Sequence, residues 1–550
     1  MGSVKQAESS SDEDLLAELG YKQELRRGLS GFTNFATSFS IISILAGCIT
    51  TYYLAMDAGG PMAINTGWLV VSLLVLCVAL AMGEICSAYP TAGGLYWWAS
   101  RLARTNKRHW AWGVGWFNFL GEVAVTASID YGGALTWVAV YSMATGEEVG
   151  LPGIFGVFLV LLLCHALLNT FGVNLVNILS TVSAWWHLVG VAVIVVALWV
   201  APVPHRSLGW VFGHFENATG FSGQGGLFGT PVYAVAIGLL MTQYTLTGYD
   251  ASAHVAEETR DASRAAPKGI VSSVLISEIA GLILLVSITA AIQNYAGARA
   301  AASAGGLPPA QIFVDALGMK VGMGLTIICG IAQFFCGMAS VTANSRMSFA
   351  FSRDRALPGS RIWAKVNPRT GTPTNSIWLC FALSLVLTIP ALFSQTAFFA
   401  VTSVAVIGLY IAYATPILLR RLAGHEFKVG PWNLGRFSAP IGWIAVVWVA
   451  LVVVLFMLPQ YAPGTPGDST FNYAPVAVGV VAVIAVVLWF AGGRSRFMSG
   501  DPRLAVGDRV EKEAAAWRDA EHAGGSEDPD KAGVGLPDSA VAPDVLGREG

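Results

Sequence analysis

Charge is what this sequence has least of. Asp, Glu, Lys and Arg make up 12% of its 550 residues, where a water-soluble globule carries about 25%, and 54% of the chain is hydrophobic. A soluble multi-domain protein is excluded, and lipid is the solvent the sequence suits. The seven cysteines (Cys48, Cys77, Cys86, Cys164, Cys329, Cys336, Cys380) all fall within or at the ends of apolar runs, so no disulfide framework is expected and they read as small apolar packing residues. Cys329 and Cys336 lack the His or Cys neighbours that zinc needs. The first 28 residues are polar and acidic, without the basic start and early apolar core of a secretory signal. A net charge of −2 offers no basic surface to nucleic acid. There is no Gly-x-x-x-x-Gly-Lys-Ser/Thr loop, and His and Cys are scattered singly, so neither ATP-driven pumping nor a membrane enzyme is expected, and no cofactor or metal is called for. No apolar stretch carries an arginine series, which excludes a voltage sensor.

What is present is apolar length. About 20 residues of helix cross a hydrocarbon core of roughly 30 Å, with every backbone amide satisfied inside the segment. The runs predict twelve spans, at 30–55, 66–87, 111–143, 151–171, 175–201, 231–256, 269–292, 323–346, 375–394, 397–419, 439–459 and 473–493. The expected fold class is an all-α polytopic membrane protein. Basic residues test its orientation, because cytoplasmic loops are enriched in Lys and Arg. With the N-terminus inside, only Arg206, Arg299 and Lys320 of the 32 basic residues fall in outer loops, and none lies deep in a span. Both termini are expected in the cytoplasm of a cell-membrane protein, with residues 1–29 as an N-terminal segment. Residues 494–550 read as a disordered tail with a short helix near Arg509 to Ala523.

Two spans are interrupted. Span 1 reads Ser38-Phe-Ser-Ile-Ile-Ser43-Ile-Leu-Ala-Gly47-Cys-Ile-Thr50-Thr51, and span 6 reads Thr242-Gln-Tyr244-Thr-Leu-Thr247-Gly248-Tyr249-Asp250. A helix-interior Gly costs about 1 kcal/mol relative to Ala, and Ser and Thr compete for backbone hydrogen bonds, so both are places to unwind. They occupy corresponding positions in spans 1–5 and 6–10, and paired interruptions mark the ligand site in transporters with inverted repeats. With no Lys or Arg in mid-membrane, an anionic group bound there is met by amides at broken helix ends, by hydroxyls, or by the intramembrane histidines His165 and His187.

Four runs carry a family resemblance: Leu16-Ala-Glu-Leu-Gly-Tyr-Lys-Gln-Glu-Leu-Arg-Arg, Glu84-Ile-Cys-Ser-Ala-Tyr-Pro-Thr-Ala-Gly-Gly-Leu-Tyr-Trp-Trp, Gly248-Tyr-Asp-Ala-Ser-Ala-His-Val-Ala-Glu-Glu-Thr and Ser345-Arg-Met-Ser-Phe-Ala-Phe-Ser-Arg-Asp-Arg-Ala-Leu-Pro. Over residues 15–495 the chain resembles the amino acid/choline transporter family of the amino acid-polyamine-organocation superfamily, which includes GABA and choline permeases. The resemblance implies a LeuT-like 5+5 inverted repeat with broken helices 1 and 6. The first repeat would span 30–201, the second 202–419, with helices 11 and 12 in 420–493. It also implies a secondary active transporter that moves an amino acid or related small amine by alternating access, proton-coupled or exchanging. The superfamily's span-1 pattern, Ile-Gly-Ser/Thr-Gly-apolar-Phe, falls on Ile44 to Ile49, with Leu45 for a glycine and Ala46 for a hydroxyl residue. Its span-6 pattern, aromatic-x-aromatic-Ser/Thr-Gly-x-Glu, falls on Tyr244 to Asp250, with Leu246 for the second aromatic. By that likeness Ser43, Ile44, Ala46 and Gly47 face a substrate carboxylate, and Tyr244, Thr245, Thr247 and Gly248 face the other end of the substrate. Tyr244 would be an aromatic gate and Asp250 a proton-sensitive group.

Other candidates come from spacing and burial. Asn118, Glu122, Thr126 and Asp130 recur at i+4 and share one helix face. That stripe either lines the cavity, where Glu122 meets an amine or exchanges a proton, or forms a hydrogen-bonded packing seam. His187, in span 5, stands where related permeases keep a lysine; it either carries a coupling proton or is a neutral imidazole bonded to a neighbouring helix. Asp250 serves gating or proton coupling, or else caps a half-helix. Glu257 and Glu258 read as partners of nearby Arg or Lys, Glu84 with Tyr89-Pro90 and Gly93-Gly94 as a structural elbow, and His165 as packing. Trp68, Trp110, Trp112 and Trp210 suit interfacial belts. The partners expected are a small-molecule substrate, protons and the bilayer; a transporter-like nutrient sensor or a passive channel is the other reading that keeps this fold.

Overall fold

The computed structural model describes residues 12–499 apart from 15, 18, 20–22, 26, 172, 304–305, 395 and 463–470; the tail from residue 500, with its expected short helix, lies outside them. Among the described residues the β pairing amounts to two isolated bridges, Leu29 with Thr259 and Ala58 with Asn217. The rest of the regular structure is helical. Eleven helices among the described residues are long and apolar enough to cross a bilayer, and the chain is a multi-pass membrane protein. In chain order the helices used below are α1 (Gly31–Ile42), α2 (Ile44–Asp57), α3 (Gly60–Ala88), α4 (Gly94–Leu102), α5 (Lys107–Thr145), α6 (Leu151–Phe171) and α7 (Val173–Val200). Then come α8 (Pro231–Gly238), α9 (Leu240–Thr245), α10 (Ala251–His254), α11 (Ala262–Ala290), α12 (Met319–Arg353), α13 (Thr374–Thr388), α14 (Thr396–Ala423), α15 (Ser438–Met457) and α16 (Ala474–Leu488). Helices α1 and α2 make up one of the eleven. The sixth expected span is the missing twelfth, because α8, α9 and α10 are each too short to count.

Several ends differ from the expected spans for local reasons. Helix α3 starts six residues early, with Pro61 in its first turn, where a missing N–H costs nothing. Helix α11 starts seven residues early and runs through Pro267. The proline cannot donate to the Ser263 carbonyl four residues back, and the Ser87 hydroxyl takes that acceptor at 2.7 Å. Helix α12 continues to Arg353 because Ser345–Ser352 are buried and its two arginines are paired, as described below. The short helices Leu208–Gly213, Tyr295–Ser303 and Pro308–Leu317 lie in connections where no apolar run announced them.

The bundle is apolar on its outside and turns its polar side chains inward, into an otherwise apolar core. On α7 the residues Val189, Val193, Val196 and Val200 are exposed at helical spacing, whereas Ser183 and His187 on the same helix are buried. Lipid-facing surface has this pattern, since tails solvate valine and hydroxyls must find partners inside. Trp68, expected in an interfacial belt, is fully buried and donates to the Glu278 carbonyl at 2.9 Å. Helix α5 is central, with α12 and α14 packed along it, while α11 lies against α3 and α1. At the α5–α14 crossing two glycines meet: a Cβ on Gly408 would lie 3.0 Å from Gly121 Cα. That backbone contact brings Glu122, the next residue, close to the buried tyrosines of α14.

The face carrying residues 12–30 is knitted by charge. Arg27 pairs with Asp12 at 3.4 Å and donates to the Thr259 carbonyl at 2.7 Å, and Asp12 accepts the Asp261 amide at 2.8 Å. Arg346 and Arg353 of α12 hold Glu258 and Glu257 at 2.8 and 3.0 Å, the pairing read for these two acids. Burial alone would raise the Glu257 carboxyl, but the Arg353 guanidinium and the Ala92 amide outweigh it and hold it below the usual carboxylate value. Glu84 binds Ser438 and Arg421, tying α3 to α14 and α15.

Candidate functional site

Span 1 breaks at one residue. Ser43 separates α1 from α2 in the left-handed region, φ 32° and ψ 80°, which costs a non-glycine residue roughly 1–2 kcal/mol. Its neighbours hold it there. The Ser43 amide donates to the Phe39 carbonyl at 3.1 Å, and its own carbonyl accepts from the Ala46 and Gly47 amides at 2.8 Å each. Its hydroxyl lies 2.6 Å from His187 Nε2. His187 Nδ1 is 2.7 Å from the Ser183 carbonyl, an acceptor only, so Nδ1 donates there and Nε2 is the atom that meets Ser43. The Ile41 carbonyl receives the Cys336 thiol at 3.1 Å, so this cysteine does more than pack.

The unwinding falls on Ser43, inside the interrupted stretch read from the sequence. Ile44, Ala46 and Gly47 are helical and buried. Since Ala46 and Gly47 already donate to Ser43, the amides that helix geometry leaves over at this N-terminus are those of Ile44 and Leu45, at the positive end of the α2 dipole.

Span 6 breaks over residues 246–250, between α9 and α10. Gly248 sits at φ 89°, and a Cβ on it would lie 2.3 Å from Ile41 Cγ2, so glycine is required both for conformation and for contact with α1. Two tyrosines of α14 satisfy the loop: Tyr410 donates to the Leu246 carbonyl at 2.7 Å, and the Gly248 amide donates to the Tyr413 hydroxyl at 3.3 Å. The Thr245 and Thr247 hydroxyls fold back onto the Met241 and Gln243 carbonyls at 2.8 and 2.6 Å. The Leu246 amide takes the Thr242 carbonyl, which leaves the carbonyls of Tyr244 and Thr245 over at this C-terminus. The Tyr244 hydroxyl donates to Ser128 of α5 at 2.8 Å.

The two breaks touch. A Cβ on Gly47 would lie 2.7 Å from Thr245 Oγ1, so an α-helix N-terminus and an α-helix C-terminus meet in the interior. Of the expected site residues, Ser43, Ile44, Ala46 and Gly47 thus come together with Tyr244, Thr245, Thr247 and Gly248, and His187 braces the first group from α7. Glu122 and Asp250 gather at the other end of the second break.

There the stripe on α5 finds its partners. Asn118 Nδ2 lies 3.4 Å from Asp250 Oδ2, and Asp250 Oδ1 accepts the Tyr413 hydroxyl at 2.7 Å. His254 Nε2 is 3.3 Å from Asp250 Oδ2 and 3.9 Å from Glu122 Oε1. Donor atoms of Glu122, Asp250 and His254 all lie within 4.8 Å of one another, and all three residues are buried, a spacing that suits one shared proton or one small cation. Further along, Thr126 bonds Ser340 at 2.8 Å, and Asp130 Oδ1 approaches His165 Nδ1 to 2.8 Å without hydrogen-bond alignment. His165 is therefore the neighbour of an acid rather than simple packing.

Two residues were missed by sequence reasoning. His254 is a third buried histidine, and the i, i+4 spacing from Asp250 was the signal that could have found it. Gln243 is fully buried with neither amide atom bonded, and no spacing rule singles it out.

Comparison with known proteins agrees with this geometry. The profile of a family described as amino acid permease matches residues 29–483. The chain is 41% identical over 499 residues to the amino-acid permease BAT1 of Arabidopsis thaliana, covering 88% of this chain and 95% of that one. It is 42% identical to a BAT1 homolog of Oryza sativa subsp. japonica, covering 88% and 94%, and 31% identical to a GABA-specific permease of Saccharomyces cerevisiae, covering 89% and 84%. A helical membrane bundle with two interrupted spans in contact, matched over nearly its whole length, belongs to the amino acid permease family.

Proposed function

We propose that this protein is a secondary carrier that moves an amino acid or a related small amine, such as GABA or choline, across the cell membrane by alternating access. The observation that carries the reading is the contact between the two breaks. It sets the helix end that carries the spare amides of Ile44 and Leu45 beside the helix end that carries the spare carbonyls of Tyr244 and Thr245, the first suited to a carboxylate and the second to an ammonium. A guest enters when Gly47 and Thr245 separate, with Tyr244 as the aromatic wall and Gln243 as a polar side chain still in need of partners. Residues 30–201 and 202–419 form the two inverted repeats, 420–493 the peripheral pair of helices, and both termini face the cytoplasm. The charged network around Arg27, Glu257, Glu258, Arg346 and Arg353 then closes the inner side. Transport is driven by protons or by exchange.

The test is uptake in proteoliposomes against a panel of GABA, choline and neutral, cationic and anionic amino acids, with pH and sodium gradients varied separately. Saturable flux with counterflow is expected for at least one panel member. A large unsaturated conductance would instead establish a channel, and binding without flux a sensor.

A further inference from the structure

Three proton acceptors converge on one buried point at the end of the second break. His254 Nδ1 lies 3.1 Å from the Ala92 carbonyl, which only accepts, so Nδ1 carries a hydrogen and Nε2 is the ring atom left to exchange a proton inward. Nε2 faces two carboxylates, Asp250 at 3.3 Å and Glu122 at 3.9 Å. Bare acceptors in a dry interior repel one another, and two carboxylates this close do not both ionise. The groups facing the cluster from the packed elements bring no cation. They are Asn118 on α5, Tyr413 on α14, Tyr249 beside Tyr413, Tyr410 of α14 within electrostatic reach of Asp250, and the Cys380 thiol of α13 within electrostatic reach of Glu122. On this side of the bundle the guanidiniums of α12, Arg346 and Arg353, are engaged by Glu258 and Glu257.

We propose that Glu122, Asp250 and His254 share one proton, and that this proton latches the short helix α10 onto α5 and onto the turn at Ala92. The inference rests on the carrier reading and deepens it by naming the coupling site. Helix α10 follows directly on Asp250, its N-cap residue, and ends at His254, so both of its ends are held by the cluster. Between them, the Ser252 amide and hydroxyl engage Ser38 and Asn34 of α1, so α10 cannot leave without loosening α1. With the proton present, one acid donates to the other or to Nε2 and the three groups attract. When the proton leaves to the solvent on the side of the N-terminal segment, Glu122 and Asp250 repel, α10 comes off α5, and the inner half of span 1 follows. The proton is taken up from the opposite side before closure, so one proton crosses with each guest that is released.

The test uses the full chain in proteoliposomes with radiolabelled GABA and alanine, comparing accumulation driven by an acid-outside gradient with exchange at equal pH. H254Q is expected to keep exchange and lose gradient-driven accumulation by about tenfold, the low end of ordinary coupling free energies. Infrared difference spectra of the purified chain at neutral pH should show a protonated carboxyl band that disappears in E122Q and in D250N. Accumulation by H254Q equal to wild type overturns the proposal. So does loss of exchange together with accumulation in monodisperse H254Q, the absence of the carboxyl band, or one equivalent of a transition metal in the purified chain. Wild-type exchange without any response to pH removes the proton site and leaves the carrier. Absence of both activities removes the carrier, and the infrared band still decides the proton.

Discussion

The two breaks solve one problem with different materials. At Ser43 a single non-glycine residue turns the chain and is fastened through its amide, carbonyl and hydroxyl, the last to His187 on another helix. At residues 246–250 the chain takes five residues over the turn and relies on a glycine at φ 89° pressed against Ile41, with two α14 tyrosines holding the loop. The first is a braced corner and the second a packed joint. A braced corner keeps its shape when its neighbours move, whereas a joint held by packing changes when the surface it leans on withdraws. On the proposed carrier reading, motion therefore starts in span 6, and the amide end of the site, beyond the Ser43 corner, stays preformed.

The contrast can be broken most severely at the joint. Gly248→Leu demands a side chain where Ile41 Cγ2 would be 2.3 Å from Cβ, adding overpacking of about 1–3 kcal/mol to the backbone strain. Uptake should vanish while size-exclusion of the purified protein still shows a folded monodisperse chain; normal uptake would mean that the joint is not needed. Next in size is Gly47→Ala, which drives α2 off Thr245. A fall in uptake of about tenfold, equivalent to some 1.4 kcal/mol in the transition state, is expected. Thr245→Ala in the same chain should recover part of it, and additive losses would deny that the two breaks touch in the cycle.

The charged network of Arg27, Glu257, Glu258, Arg346 and Arg353 should respond to acid rather than to substrate. The carboxyl of Glu257 titrates below its ordinary value of 4.5 because the guanidinium of Arg353 outweighs burial. Its stabilising effect is present above that pH and is lost as pH falls through the depressed folded value. Thermal melting of Glu257→Gln should lose the part of the acid limb below 4.5 that wild type shows, and an unchanged limb would place the titration elsewhere. The smallest effect is at the corner. Ser43→Ala keeps the left-handed strain and gives up the His187 contact, a cost of about 1–2 kcal/mol. Ser43→Gly gives up the same contact but relieves the strain, so its melting temperature should stay near wild type. Equal losses in the two variants would deny that Ser43 is strained.

Much of the fold was legible because its signal is local. Runs of some 20 apolar residues fix helices wherever they occur, and helix α6 at Leu151–Phe171 has the expected bounds. The site was legible only where local chemistry decides. The paired interruptions could be seen as hydroxyls and glycines in apolar runs, and the turn falls at one of those hydroxyls, Ser43. Its fastening comes from His187, 144 positions away. Gly47 stays helical, and it is a glycine because Thr245 leaves no room for Cβ. The stripe on α5 was visible as an i+4 pattern; that Glu122 meets His254 depends on the Gly121–Gly408 crossing, which no single segment encodes.

The most direct measurement is amide hydrogen exchange of the reconstituted chain with and without a saturating transported amino acid. Protection should rise at residues 43–47 and 244–250 together, with Ile44 and Leu45 slowed most. Protection confined to other segments, with both of these unchanged, would contradict a guest held between the two helix ends.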